Sequence, residues 1–443
     1  MKNLATPALR AAVGLLTLSL AACGGSSRGS DPKPSATSGS GAPATSAAAS
    51  AAPRKAIPAA YDNTKGWTIP ARTTDGELAD PVIAPDTGLV VVLSNPSDNP
   101  VASIEARDAK SGAVRWSSKP VTLPQRGTVT TYPQVLVTHK DGKEYVVLAR
   151  TGVQGADGVN NGGPVTQLAV YDAASSGGEV PPLRDITVPV FAADGYSALR
   201  DGGTITVLAD QSGGATVDAA TGQTNSYDGN SAPLNAPGPC NVSINNCSAH
   251  AKIVGQTPVG PLILGNDVFG STGWSSTSVV PNGGRAVMGP QRLQVYGTPG
   301  GDVVAAWPKD AADHAVWALH DGRTGQVLAT VECLQGATST VSDGKVSDDG
   351  RYVIVGFVVF DVRAKQGRCL AATGARQAIS VSAVDPDGTA YGQANGGAAT
   401  SVTLATDQAT ALPAGAAAPD VIGAGVALFR VATPGPILVY PHR

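Results

Sequence analysis

No run of this 443-residue sequence is apolar for long enough to cross a bilayer. The longest, Ala11 to Ala22, covers about a dozen residues where a hydrocarbon core needs about 20. A permanent transmembrane helix is therefore not expected. Charge is scarce too: Asp, Glu, Lys and Arg make up 15% of residues, and the formal net charge is −3. Without Lys2 and Arg10 it becomes −5 (−3 less two positive charges), too mild to argue for nucleic acid or for electrostatic adhesion to an anionic surface. Cysteine is limited to five with no C-x-x-C, and none of His139, His250, His314, His320 or His442 sits at ligand spacing beside one, which argues against zinc. Catalytic signatures are missing: no G-x-S-x-G, H-E-x-x-H or Walker A occurs. "VIGAGVALF" (421–429) begins like a dinucleotide fingerprint with Gly423 and Gly425 but lacks the third glycine.

What is present starts with an address. Lys2 and Arg10, without acidic neighbours, precede the short apolar run, which is the pattern of a secretory signal over residues 1–22. Leu20-Ala21-Ala22-Cys23 resembles the bacterial lipobox. That resemblance implies that Cys23 receives diacylglycerol and becomes the N-terminus after cleavage. Two acyl chains, at roughly 0.8 kcal/mol per buried methylene, hold a protein to a bilayer where one barely does. The expected location is the outer face of the cell membrane; the alternative is an ordinary signal peptide cut near Ala22. Residues 23–58, rich in Ser, Ala, Gly, Pro and Thr, lack apolar periodicity and read as a disordered tether. As a flexible coil the tether would span on the order of 30 Å. The folded domain is then expected over residues 59–443.

Outside the cytoplasm the remaining four cysteines suggest bridges. Of the three possible pairings, Cys240 with Cys247 as a loop staple and Cys333 with Cys369 as a longer link are favoured.

Helix-period stretches are hard to find. Short β-branched runs recur instead between turn signals: "GLVVVLS", "EYVVLA", "TITVLAD", "YVIVGFVVFD", "GPILVYP". With 54 Gly and 33 Pro, they read as strands of an all-β protein. A unit repeats among them. Asp108-Ala-Lys-Ser-Gly112, Asp218-Ala-Ala-Thr-Gly222 and Asp321-Gly-Arg-Thr-Gly325 are good copies, and Asp172, Asp267, Asp361 and Asp407 mark degraded ones. Their separations of 64, 46, 49, 54, 40 and 46 residues fit four-stranded propeller blades of about 40 to 50 residues. The long first gap can hold a loop insertion at "TGVQGADGVNNGGP" (151–164). In each turn Asp accepts backbone hydrogen bonds and Gly supplies positive φ.

The stretch from Asp108 to Trp116, D-x-x-[ST]-G-x-x-x-W, resembles the repeat of pyrroloquinoline-quinone-like β-propellers. The resemblance implies that the tryptophan docks between blades; the other copies lack it. The expected fold is a single propeller of seven four-stranded blades, with eight possible. The last strands should pair with "GWTIPA" (66–71), because an open ring leaves exposed edges. Two separate sandwiches are the remaining alternative.

Site candidates are weak. Asp343, Asp348, Asp349, Asp385 and Asp387 lie in carboxylate-rich stretches that could ligate calcium, but no EF-hand glutamate follows and hairpin turns explain them as well. His314 and His320 share one side of an extended segment and read as a solvated pair at its ends. Trp67, Trp116, Trp274, Trp307 and Trp317 read as inter-blade core, with a sugar or peptide platform as the alternative for one or two. The function expected is a non-catalytic binding or scaffolding module, anchored to the cytoplasmic membrane, with a protein or glycan ligand on a propeller face and no cofactor. The alternative is a propeller enzyme, either a quinoprotein-like oxidoreductase or a glycan lyase or hydrolase. A quinoprotein of the alcohol dehydrogenase type would show adjacent cysteines, which are missing, and a row of tryptophan motifs, of which one is complete.

Overall fold

The computed structural model describes residues 49–443 except 71–79, 95–100, 125–132, 158, 210–212, 229–251, 265–273, 287–292, 310–313, 335–343 and 433–434. Among the described residues there is no helix, and the strands fall into eight sheets in chain order. Each is called a blade here. Blade 1 spans Val82–Ser118 and is joined in parallel at its outer edge by Gly177–Val180, and blade 2 comprises Gln134–Asp172 and Arg184–Val188. Blade 3 spans Gly195–Tyr227, blade 5 Gln294–Leu334, blade 6 Lys345–Cys369 and blade 7 Ile379–Ala411. Blade 4 shows two strands, Lys252–Thr257 and Gly260–Leu264. Blade 8 combines Val421–Gly423, Val426–Arg430 and Ile437–Pro441 with Trp67–Ile69 from the other end of the chain.

That last pairing closes the ring: Trp67, Thr68 and Ile69 lie opposite Val439, Leu438 and Ile437 in antiparallel register. It also explains the number of sheets. Counting Asp-to-Gly turns predicts seven blades, but the closing sheet receives its outer strand from residues 67–69 and so has no such turn. The long gap between Asp108 and Asp172 hides no blade. Residues 151–164 instead extend the hairpin of Lys143–Ala156 and Asn161–Asp172 in blade 2.

The β-branched runs are continuous rather than alternating because each sheet is covered on both faces. Apolar clusters join neighbouring blades all the way round. Trp116 and Tyr171 join blades 1 and 2; Val170 and Ile205 join 2 and 3; Leu208 and Ile253 join 3 and 4; Leu262 and Ala305 join 4 and 5. Trp317, Phe360 and Val402 connect 5, 6 and 7, Tyr391 and Phe429 join 7 and 8, and Val426 and Val90 join 8 and 1. No blade hides its faces alone, which is the physical signature of a propeller.

Residues 49–58, read as tether from composition, lie on this body. Ala51 bridges Trp67, the Ala52 N–H donates to the Gly66 carbonyl, and Ala52, Ile57 and Ala60 pack on the blade 8 cluster. Residues 1–48, with the expected signal segment and Cys23, lie outside the described residues.

Candidate functional site

The repeated turns are structural fasteners. The Asp108 carboxylate accepts the N–H and hydroxyl of Ser111 at 2.9 and 2.8 Å, and the Gly112 N–H returns to the Asp108 carbonyl at 2.8 Å. Asp218 with Thr221 and Gly222, and Asp321 with Thr324 and Gly325, repeat the arrangement. Gly112, Gly222 and Gly325 have φ of +70°, +80° and +73°, the left-handed region where glycine is unstrained. Burial works to raise the Asp218 carboxyl, but hydrogen bonds from Lys140 and Thr221 outweigh it and hold it below the ordinary carboxylate range. Asp407 is out of register with this set. Thr403 ends the third strand of blade 7, and Asp407 takes the glycine position with φ +56°, as Lys365 does in blade 6 with φ +54°. Asp267 lies outside the described residues, as do Cys240 and Cys247.

Tryptophan docking is commoner than the sequence suggests. The Trp116 indole N–H of blade 1 donates to the Ala173 carbonyl of blade 2 at 3.0 Å. Trp67 in the closing strand does the same to Ala109 of blade 1, and its ring covers Gly112 so closely that a Cβ there would meet it at 2.5 Å. Trp274 covers Gly325 in the same way. Spacing from an aspartate could not reveal Trp67, because its blade begins at the far end of the chain. All five tryptophans are buried, none more than 5% exposed. Cys333 and Cys369 form a disulfide between the outer strands of blades 5 and 6, with Cα atoms 5.6 Å apart.

His314 and His320 do not form a solvated pair. His320 is fully buried; its Nδ1 meets the Gly325 carbonyl at 2.9 Å, and its Nε2 accepts the Trp307 indole N–H at 3.3 Å. Burial lowers its proton affinity, which fits a neutral ring.

The place where chemistry converges is the centre of the ring. Six of the eight blades contribute to one cavity of about 180 Å³. Its apolar lining comes from Ile83 of blade 1, Val137 of blade 2, Val346 of blade 6, and Val421 and Ile422 of blade 8. Its polar lining comes from Asp86, Arg200 and Asp348, each just past the first strand of its blade, and from His139 near the end of the strand Gln134–Lys140. Arg200 crosses the centre. Its N–H donates to the Pro299 carbonyl of blade 5 and its carbonyl accepts the His139 N–H of blade 2, both at 2.6 Å. Its guanidinium donates to the Ser347 carbonyl of blade 6 at 3.2 Å and lies 3.6 Å from the Asp348 carboxylate. Asp348 in turn accepts the Ala424 N–H of blade 8 at 3.2 Å.

Glu144, 5% exposed, is also committed: it accepts the N–H groups of Asp86 and Thr87 and the Thr87 hydroxyl. The groups left at the rim are Asp86 and Asp201, flanking the His139 ring at 3.8 and 3.5 Å, with side chains 54% and 84% exposed. Four carboxylates (Asp86, Glu144, Asp201, Asp348) and one guanidinium thus gather around the cavity, a balance that favours positive charge. Among the described residues no group of three or more His, Cys, Asp or Glu is placed to hold a metal ion. Of the aspartates considered for calcium, Asp343 lies outside the described residues, Asp348 serves Arg200, and Asp349 braces its own turn by accepting the Ser347 hydroxyl. Sequence reasoning listed His139 among scattered histidines and missed Arg200, Asp86 and Asp201. They meet only because each lies at or just past the end of an innermost strand, a position visible once blade registers are known.

No family model matches the chain, and no curated protein does. Among solved structures, it is similar to the Cps50 (Swd1) β-propeller domain from Myceliophteria thermophila at 9% identity, with 86% of this chain and 99% of that one covered and a TM-score of 0.43. BamB from Moraxella catarrhalis aligns at 12% identity over 90% and 99% of the two chains, with a TM-score of 0.36. Kuenenia stuttgartiensis hydrazine synthase aligns at 13% over 83% and 97%, with a TM-score of 0.39. The propeller is established by the sheet order and by the strand that closes it: this chain is a β-propeller of eight sheets, tied across its centre by Arg200.

Proposed function

We propose that the protein is a cell-envelope lipoprotein, held to the membrane through Cys23, whose propeller docks a protein partner at its central mouth without catalysing a reaction. The observation that carries this reading is the mouth itself: a shaft of about 180 Å³ with apolar walls, rimmed by Asp86 and Asp201, whose carboxylates face solvent. Such a site accepts an apolar side chain flanked by Lys or Arg. A rigid ring of turns is suited to holding a partner in one orientation. A protein is favoured over a glycan because sugar platforms use exposed aromatic faces, and all five tryptophans here are spent inside the blades. The committed hydrogen bonds of Arg200, Asp348 and Glu144 favour a holding role for these groups over acid–base work. The lipobox-like segment and the Cys333–Cys369 disulfide together support a place outside the cytoplasm.

The test is site-specific photocrosslinking in intact membranes, with the photoreactive residue at Asp201 on the rim or at Val159 on the tip of the blade 2 hairpin. The reading expects one defined protein adduct from position 201, lost on Asp86→Lys charge reversal, and none from 159. Cys23→Ala should release the protein from the membrane fraction. An adduct from 159 alone, or membrane retention of the Cys23→Ala chain, would refute the corresponding half.

A further inference from the structure

The centre of the ring already contains a cation, and its hold there is uneven. Three carboxylates line the cavity (Asp86, Glu144, Asp348) beside one guanidinium, that of Arg200. The Arg200 backbone is fixed: its N–H donates to the Pro299 carbonyl of blade 5 and its carbonyl accepts the His139 N–H of blade 2, both at 2.6 Å. The side chain is held less firmly. One guanidinium nitrogen donates to the Ser347 carbonyl at 3.2 Å. Another stands 3.6 Å from the nearer Asp348 oxygen, beyond hydrogen-bonding distance, and the side chain is 32% exposed. Arginines that brace the blades elsewhere sit closer, Arg351 on Asp361 and Arg376 on Asp407, both at 2.7 Å. Arg200 therefore ties blades 2, 3 and 5 through its backbone, and its side chain can swing away without undoing that tie.

The place it would vacate is shaped for a guanidinium. The Ser347 carbonyl and the Asp348 carboxylate address two different nitrogens of one planar group, a fork that an ammonium does not reproduce. The other Asp348 oxygen accepts the Ala424 N–H at 3.2 Å, which fixes the direction of the carboxylate. Beside the oxygen that faces Arg200, Gly423 leaves the wall bare: a Cβ there would meet that oxygen at 3.3 Å and the Ile83 side chain at 3.2 Å. Ile83, Val137 and Val346 supply apolar surface for the methylene stem of a long cationic side chain.

We propose that Arg200 is an internal stand-in for an arginine of the docked partner, whose guanidinium displaces that of Arg200 from Ser347 and Asp348. The proposal rests on the docking reading above for its partner and gives that contact a chemistry, an arginine side chain rather than a lysine. Arg200 then sets the threshold for docking, because an incoming cation must outcompete the one already present.

Titration of the purified chain with Nα-acetyl-arginine methylamide, followed by the NMR linewidth of the probe, tests this; the citrulline analogue is a neutral control of the same shape. Arg200→Ala removes the competitor and leaves both backbone bonds. It should bind the arginine probe about tenfold or more tightly than the native chain. The citrulline analogue should bind neither chain, and adding Asp348→Asn to Arg200→Ala should cancel the gain. Equal or weaker binding by Arg200→Ala, a gain that survives Asp348→Asn, or citrulline binding as well as arginine would overturn the proposal. If Arg200→Ala fails to fold, Arg200→Gln, which keeps a donor for Ser347 and loses the charge, decides by the same criteria. Failure of the docking reading looks different. No adduct from position 201 in membranes, with the probe gain intact, withdraws the protein partner and keeps a guanidinium site; an adduct without the gain removes the stand-in alone.

Discussion

The indole of Trp67 donates its hydrogen to the carbonyl of Ala109, 42 residues further along the chain, at 2.9 Å. The same bond joins Trp116 to Ala173 one blade further round. Ring closure therefore reuses the ordinary contact between neighbouring blades, although the closing strand comes from the opposite end of the described residues. From this follows a matched pair of expectations. Trp116→Phe and Trp67→Phe should each destabilise by about 1–3 kcal/mol, because each leaves a buried carbonyl unpaired. Urea unfolding of the two variants should give similar losses; a negligible loss for Trp67→Phe alone would mean that the closing seam is not equivalent to the others.

The glycine position of the turns gives a second pair. Gly112→Ala should destabilise strongly, since the added Cβ would meet the Trp67 ring at 2.5 Å in a left-handed backbone. Lys365→Gly relieves the same backbone conformation and should stabilise by about 0.5–1 kcal/mol, whereas Asp407→Gly should stabilise less or not at all because it also removes the carboxylate that accepts from Arg376 at 2.7 Å. Chemical denaturation measures both signs.

The Cys333–Cys369 bridge closes a sequence separation of 36 residues. The chain-entropy account assigns such a loop about 4 kcal/mol. Replacing both cysteines by alanine should lower the melting temperature by several degrees while leaving the all-β circular dichroism unchanged. An unaltered melting temperature would show that blades 5 and 6 are held by packing alone.

Acid should loosen the turns. Asp218 is held below its ordinary range, so its contribution is present above the unfolded value and lost as pH falls through the folded one. Asp218→Asn should therefore show a smaller loss of stability between about pH 7 and pH 3 than the native chain, measured by denaturant midpoint at each pH. An identical loss would remove the Lys140–Asp218 pair from the account.

Much of the ring is legible in the sequence. Asp108, Asp218 and Asp321 mark turns because Asp-to-Gly spacing is a local requirement of backbone geometry, and local requirements are written in consecutive residues. Asp407 misled for the same reason. An aspartate in a left-handed position looks like a turn opener when the threonine that opens the turn, Thr403, carries no such signature. The pairing of the last strands with residues 66–71 is legible because an open ring leaves exposed edges, and it is found. The sheet they form escapes a count of Asp-to-Gly turns, since Trp67 and Val439 are joined by no turn. Residues 49–58 were misread because alanine and proline signal disorder by composition, yet Ala52 and Ile57 find an apolar surface on blade 8. The mouth was illegible altogether: His139, Arg200 and Asp348 share no motif, and only the closing of the ring brings them to one cavity.

The most direct measurement of the central claim is a cysteine crosslink across the closing pair, Thr68→Cys with Leu438→Cys, which face one another in the sheet. Oxidation of the purified double variant should give an intramolecular 68–438 disulfide by peptide mapping, in a monomer with raised resistance to unfolding. Crosslinks only between molecules, or none, would contradict a ring closed by its first strand, and with it the mouth that the ring encloses.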